Sequence, residues 1–135
     1  MNYKIEDIQG IGPAYAEKLA AARITTTNDL LTRCADRTGR DTVSEATGVS
    51  TSLLLTWSNM ADLMRISGIG PQFAELLEAA GVDTVKELRT RNITNLTDKM
   101  KEVNDDKKLS RVAPSQGMVD GWVKQAKRVN PTITH

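Results

Sequence analysis

One cysteine, one histidine and five aromatic residues are all that this 135-residue chain supplies of those types, and the shortages narrow its chemistry early. Cys34 has no partner for an internal disulfide, and the segment Met1-Asn2-Tyr3-Lys4-Ile5-Glu6-Asp7 has none of the apolar character of a secretory leader. A reducing, cytoplasmic setting is therefore expected. One Cys and one His cannot fill a tetrahedral zinc site, and His135, the last residue, is a poor base for activating Cys34 or any serine. No apolar run approaches the ~18 residues that a membrane helix needs, so no membrane partner is expected. Cys34 follows Leu30 and Leu31 at helical spacing, which marks it as a small core residue. With no histidine in the body of the chain, no metal site and no nucleophile beside a base, the chain is not expected to be an enzyme.

An excess of charge of either sign is also missing: 18 basic residues stand against 17 acidic ones. The distribution says more than the sum. Residues 1–66 hold seven bases and eight acids, and residues 67–135 hold eleven and nine, so neither half is a basic domain. Between Lys107 and Arg128, however, six bases (Lys107, Lys108, Arg111, Lys124, Lys127, Arg128) face the single acid Asp120. This is a solvated face or a phosphate-contacting patch.

What the chain does have is a duplicated tetrapeptide, Gly10-Ile11-Gly12-Pro13 and Gly68-Ile69-Gly70-Pro71. At the same offset of 58, Ile8 pairs with Ile66, Ala16 with Ala74, Leu19 with Leu77, Thr26 with Thr84 and Leu30 with Leu88. The match resumes at an offset of 65, with Ser50 on Ser115 and Trp57 on Trp122, so the second copy carries seven extra residues. The cluster Asn104-Asp105-Asp106-Lys107-Lys108 is the expected place for them, as an exposed loop.

Helix signals recur in both copies. Pro13 and Pro71 suit a first helical position, where no amide partner is lost. Thr26 with Asp29, and Thr84 with Glu87, have the spacing of a capping box, and Ser50 and Ser115 are the expected caps of the closing helices. Alanine, leucine, glutamate and lysine favour helix throughout, and no sheet is expected. A Gly-apolar-Gly turn opening a helix leaves main-chain amides unshielded, and such an N-terminus attracts anions. The bland alternative is a tight connector between packed helices. The turns lack the lysine and hydroxyl of a P-loop, so nucleotide hydrolysis is not implied.

The segments Ile8-Gln9-Gly10-Ile11-Gly12-Pro13 through Leu19, and Ile66-Ser67-Gly68-Ile69-Gly70-Pro71 through Leu77, resemble the helix-hairpin-helix motif. The chain as a whole is similar to an uncharacterised bacterial family of tandem helix-hairpin-helix domains of unknown function. The stretches Ala61–Ile66 and Ala79–Leu88, with Glu102-Val103-Asn104 and Trp122, carry that likeness. The resemblance implies sequence-independent DNA binding, in which hairpin amides and a nearby base grip a backbone phosphate, sometimes beside a monovalent cation. The chain departs from DNA-binding versions at Ala14 and Gln72, where Lys or Arg is common.

The expected fold is all-α: two tandem helix-hairpin-helix (SAM-like) bundles of about five short helices each. The first spans residues 1–65 and the second 51–129, sharing a helix over 51–66, and 130–135 forms a tail. The expected nucleic-acid contacts are Gly10, Ile11, Gly12, Ala14 and Lys18 in the first copy and Gly68 and Gly70 in the second, with Lys124, Lys127 and Arg128 as auxiliaries. Residues 8–24 hold Lys18 and Arg23 against Glu17, a surplus of one base, whereas residues 66–82 hold no base and the two acids Glu75 and Glu78, so the first hairpin is expected to be the better phosphate site. No cofactor is implied beyond the hairpin cation. The competing expectation is a protein-interaction adaptor whose hairpins are purely architectural.

Overall fold

Capping residues, prolines and glycines set where each helix begins and ends. The structure, a computed structural model, describes residues 2–135, and all its regular elements among them are helical. A 3-10 turn at Ile5–Asp7 precedes α1 (Pro13–Ala21), α2 (Thr27–Cys34), α3 (Arg37–Thr47) and α4 (Thr51–Leu63). Then follow α5 (Pro71–Ala79), α6 (Val85–Leu88), α7 (Ile93–Lys107) and α8 (Gln116–Ala126). The expected all-α class is what the chain adopts. One isolated antiparallel bridge, Lys4 with Thr26, ties the N-terminal segment to the start of α2. There the Ile5 amide donates to the Thr25 carbonyl and the Thr27 amide to the Tyr3 carbonyl, both at 2.9 Å.

The chain divides into two compact units, one running to Asp62 and including Thr132–His135, the other Leu63–Pro131. In the first, α2 packs on α3, and α1 touches both α3 and the 3-10 turn. Ile5, Ile8, Leu19, Ile24, Leu30, Leu54 and Trp57 are its largest buried side chains, the aliphatic ones each contributing about 1.5–3 kcal/mol by leaving water. Cys34 is fully buried, and desolvation pushes its thiol up to about 11, so it packs as a small hydrophobe. In the second unit α7 packs on α8 and α5, and α6 on α8, around Ile66, Ile69, Leu76, Leu77 and Trp122.

Four details differ from the expectations. The helix read over 51–66 ends at Leu63, with Met64–Ile66 forming a turn closed by the Ile66 amide on the Leu63 carbonyl at 3.1 Å. The segment read as a 130–135 tail is tied down within the first unit: the Thr134 amide donates to the Ala35 carbonyl at 2.8 Å, and Ile133 is buried. The cluster Asn104–Lys107, read as a loop, is the last turn of α7. Met100 and Val103 keep the helical apolar stripe running, and the buried Asn104 carboxamide accepts from the Ser110 amide at 2.8 Å. The connecting loop starts only after Lys108, which takes the left-handed capping conformation.

Fourth, only one capping box is complete. Thr26 Oγ1 accepts from the Asp29 amide at 3.2 Å while Asp29 Oδ2 accepts from the Thr26 amide at 3.1 Å. In the second unit Thr84 accepts from the Glu87 amide at 3.3 Å, but the Glu87 carboxylate pairs with Arg91 at 2.7 Å. The longer glutamate has a cation one helical turn away and takes it. Ser50 and Ser115 cap as their spacing implies, accepting from the Leu53 and Met118 amides at 3.2 Å.

Candidate nucleic-acid interface

The first Gly-Ile-Gly-Pro turn is built on two buried isoleucines. Ile8 and Ile11 anchor it, and the Ile11 amide closes it on the Ile8 carbonyl at 3.1 Å. Gly10 has φ +95°, a conformation that penalises any side chain, and a Cβ there would stand 3.4 Å from Trp57 Nε1. Trp57 in turn meets Tyr15 edge-on, ring centroids 5.1 Å apart, a contact contributing ~0.5–1.5 kcal/mol. The glycine at 10 is thus a requirement of the left-handed backbone, with Trp57 close behind it. Gly12 is different: it caps α1 in an extended conformation, φ −84° and ψ −177°, and a Cβ there would meet nothing within 4 Å.

After Gly12 the chain enters α1 with its first amides unused. Among the described residues, the Gly12, Ala14 and Tyr15 amides have no protein acceptor, and the first helical bond is Ala16 to the Gly12 carbonyl at 2.9 Å. Gly12, Pro13 and Ala14 are exposed. The Tyr15 amide, absent from the expected contacts, belongs to this set by its place in the first turn. Lys18, one turn on, lies 5.8 Å from the Tyr15 ring centroid and has no acidic partner among the described residues. The turn presents donors, room for close approach and one uncompensated cation.

The second turn has closely similar backbone values. Gly68 has φ +93° with Trp122 Nε1 3.1 Å from its would-be Cβ, and Gly70 has φ −89° and ψ −173°. The Ile69 amide meets the Ile66 carbonyl at 3.1 Å, and Phe73 tilts against Trp122 at 5.2 Å. Arg23 and Gly81, 58 residues apart, are both left-handed, at φ 65° and 94°. Gln72 and Phe73 offer first-turn amides without a protein acceptor among the described residues.

The surroundings of the two turns differ more than their backbones. Gly70 is only partly exposed, and the Ser67 amide before it donates to Gln125 Oε1 of α8 at 2.9 Å. No base stands on α5; instead partial desolvation, Asp83 and Glu75 together raise the carboxyl pKa of Glu78. Lys124, Lys127 and Arg128 project from or just beyond α8, whose Trp122 and Gln125 support this turn. Lys124 is paired with Asp120 at 3.0 Å, so its charge is partly offset. Lys127 and Arg128 are exposed and have no carboxylate partner among the described residues.

The structure also holds an arginine clip that spacing did not reveal. Arg33 donates to the Ala22 carbonyl at 2.9 Å and Arg91 to the Gly81 carbonyl at 2.8 Å. Each satisfies a carbonyl just past the helix that follows the turn. Among the described residues no group of three or more His, Cys, Asp and Glu gathers as a metal cage, and no helix is long and apolar enough to cross a membrane.

Neither curated proteins nor solved structures yield a match to the chain. A family model, described as a domain of unknown function (DUF4332), matches residues 9–129, which takes in both glycine turns and all eight α-helices. The chain therefore belongs to the DUF4332 family of domains of unknown function.

Proposed function

We propose that this protein is a cytoplasmic, tandem helix-hairpin-helix module that binds DNA without sequence preference, chiefly through its first hairpin. The observation that carries this reading is Gly12: the fold leaves room for a side chain there, so packing does not demand glycine. A phosphate approaching the Gly12, Ala14 and Tyr15 amides does demand it, because a Cβ would stand between the ligand and the donors. Lys18 adds the nearby positive charge. Ile11 holds the turn from beneath and Gly10 lets it close over Trp57.

The second hairpin, with Gly68 and Gly70, has a similar main chain and the opposite electrostatics. Helix-terminal attraction is worth ~0.3–1 kcal/mol at a surface, and fixed carboxylates within a Debye length of ~8 Å offset it. Lys127 and Arg128, with the half-compensated Lys124, are the auxiliary phosphate contacts available to this unit. A monovalent cation at the first hairpin would be consistent with such a grip.

Fluorescence anisotropy with a labelled duplex tests the proposal. Binding through three phosphates has an expected log–log salt slope of about −2.7, and duplexes of unrelated sequence should bind equally well. Gly12→Val with Lys18→Glu should remove the affinity while circular dichroism shows an intact fold. Failure of the folded protein to bind duplex at low salt would defeat the proposal and leave the hairpins as the architecture of an adaptor.

A further inference from the structure

The first unit contains a second place where positive charge is left without a partner. Arg40 of α3 is 4% exposed, yet no carboxylate lies within salt-bridge distance of it among the described residues. Its guanidinium is held by main-chain carbonyls instead: Nη1 donates to Cys34 at 3.0 Å and Ala35 at 3.1 Å, and Nη2 to Thr134 at 2.7 Å. Carbonyl dipoles solvate a buried cation but do not neutralise it. Of the five N–H donors of an arginine, Nε–H and one Nη2–H of Arg40 have no protein acceptor among the described residues.

Arg40 lines an open pocket of about 300 Å³ together with Arg37, Asp41, Thr51, Ser52 and His135. Arg37 is exposed and likewise has no carboxylate partner among the described residues. Thr51 and Ser52 open the 13-residue helix α4. Ser50 takes up the Leu53 amide through its hydroxyl and the Leu54 amide through its carbonyl, leaving the Thr51 and Ser52 amides undirected. Asp41 and the terminal carboxylate of His135 are the opposing charges on the lining, and neither is within salt-bridge distance of Arg37 or Arg40 among the described residues.

We propose that this pocket binds a phosphate-class oxyanion, held by Arg40 and Arg37 and by the first amides and hydroxyls of α4. Arg37 offers its whole guanidinium and Arg40 its remaining Nε–H and Nη2–H donors, chemistry suited to phosphate oxygens, and an anion there would bring a counter-charge into direct hydrogen-bond reach of Arg40. The site stands independently of the hairpins. Free phosphate, a phosphomonoester and a nucleic-acid backbone share the chemistry it recognises.

An amide-resolved NMR titration of the full chain with inorganic phosphate, at ionic strength held constant with chloride, tests the site. The Thr51 and Ser52 amides should shift saturably. Arg37→Glu should weaken the response at least tenfold and Asp41→Asn should strengthen it, both at unchanged melting temperature without phosphate. Arg40 is left intact because it holds three carbonyls in place. A parallel titration with duplex identifies the source: saturation at Thr51 and Ser52 by duplex but not by free phosphate assigns the site to the backbone, and saturation by free phosphate assigns it to a small ligand. The Gly12→Val, Lys18→Glu protein should respond to inorganic phosphate as the parent does, so that failure of the hairpin reading leaves this one standing. No saturable shift with either probe, or an equal shift with chloride alone, overturns the proposal.

Discussion

Two glycines in one turn illustrate how differently a single residue type is determined. Gly10 answers to a left-handed backbone and to Trp57 behind it; Gly12 answers to neither. Glu78 has its own signature. Desolvation, with Asp83 and Glu75, raises its folded pKa above the ordinary 4.5, so the folded protein holds this proton more tightly than the unfolded chain. Its stabilising contribution is present below pH 4.5 and is lost as pH rises through the folded pKa. Glu78→Gln should therefore raise the melting temperature at pH 7 and leave it unchanged at pH values well below 4.5, as thermal melts at the two values will read. An unchanged melting temperature at pH 7 would show that the carboxylate is not under strain.

At the scale of elements, α8 carries a correctable weakness. Gly121 lies inside the helix, exposed, and a Cβ would meet nothing within 4 Å, so no close approach explains it. Gly121→Ala should stabilise the protein by about 0.5–1 kcal/mol in urea unfolding, and a loss of stability would mean an unseen contact. Helix starts were the most legible feature of the sequence, because caps and prolines act locally: Pro13, Thr26, Ser50, Pro71, Thr84 and Ser115 all stand where their chemistry puts them. Helix ends were less so. The polar run after Val103 looks like a loop by composition, but continued burial of Met100 and Val103 and the Asn104–Ser110 bond hold it helical. The choice of Arg91 over the Thr84 amide as the partner of the Glu87 carboxylate, and the arginine clips, depend on where a long side chain reaches, which spacing does not encode. Of the candidate site, the turn and Lys18 were readable. The Tyr15 amide and Gln125 under Ser67 required coordinates.

Across the whole molecule, two units with nearly the same glycine-turn backbone sit in unlike electrostatic settings. The net charge of +1 conceals this, because the difference lies in the helix that each turn opens: α1 carries Lys18 beside Glu17, whereas α5 carries Glu75 and Glu78 and no base. The first turn should bind phosphate well and the second poorly. Residue-resolved NMR of the intact chain titrated with duplex DNA at low salt measures this most directly. The Gly12, Ala14 and Tyr15 amides should shift saturably and at lower DNA concentration than Gly70, Gln72 and Phe73. Equal shifts at both turns, or shifts at the second alone, would contradict it.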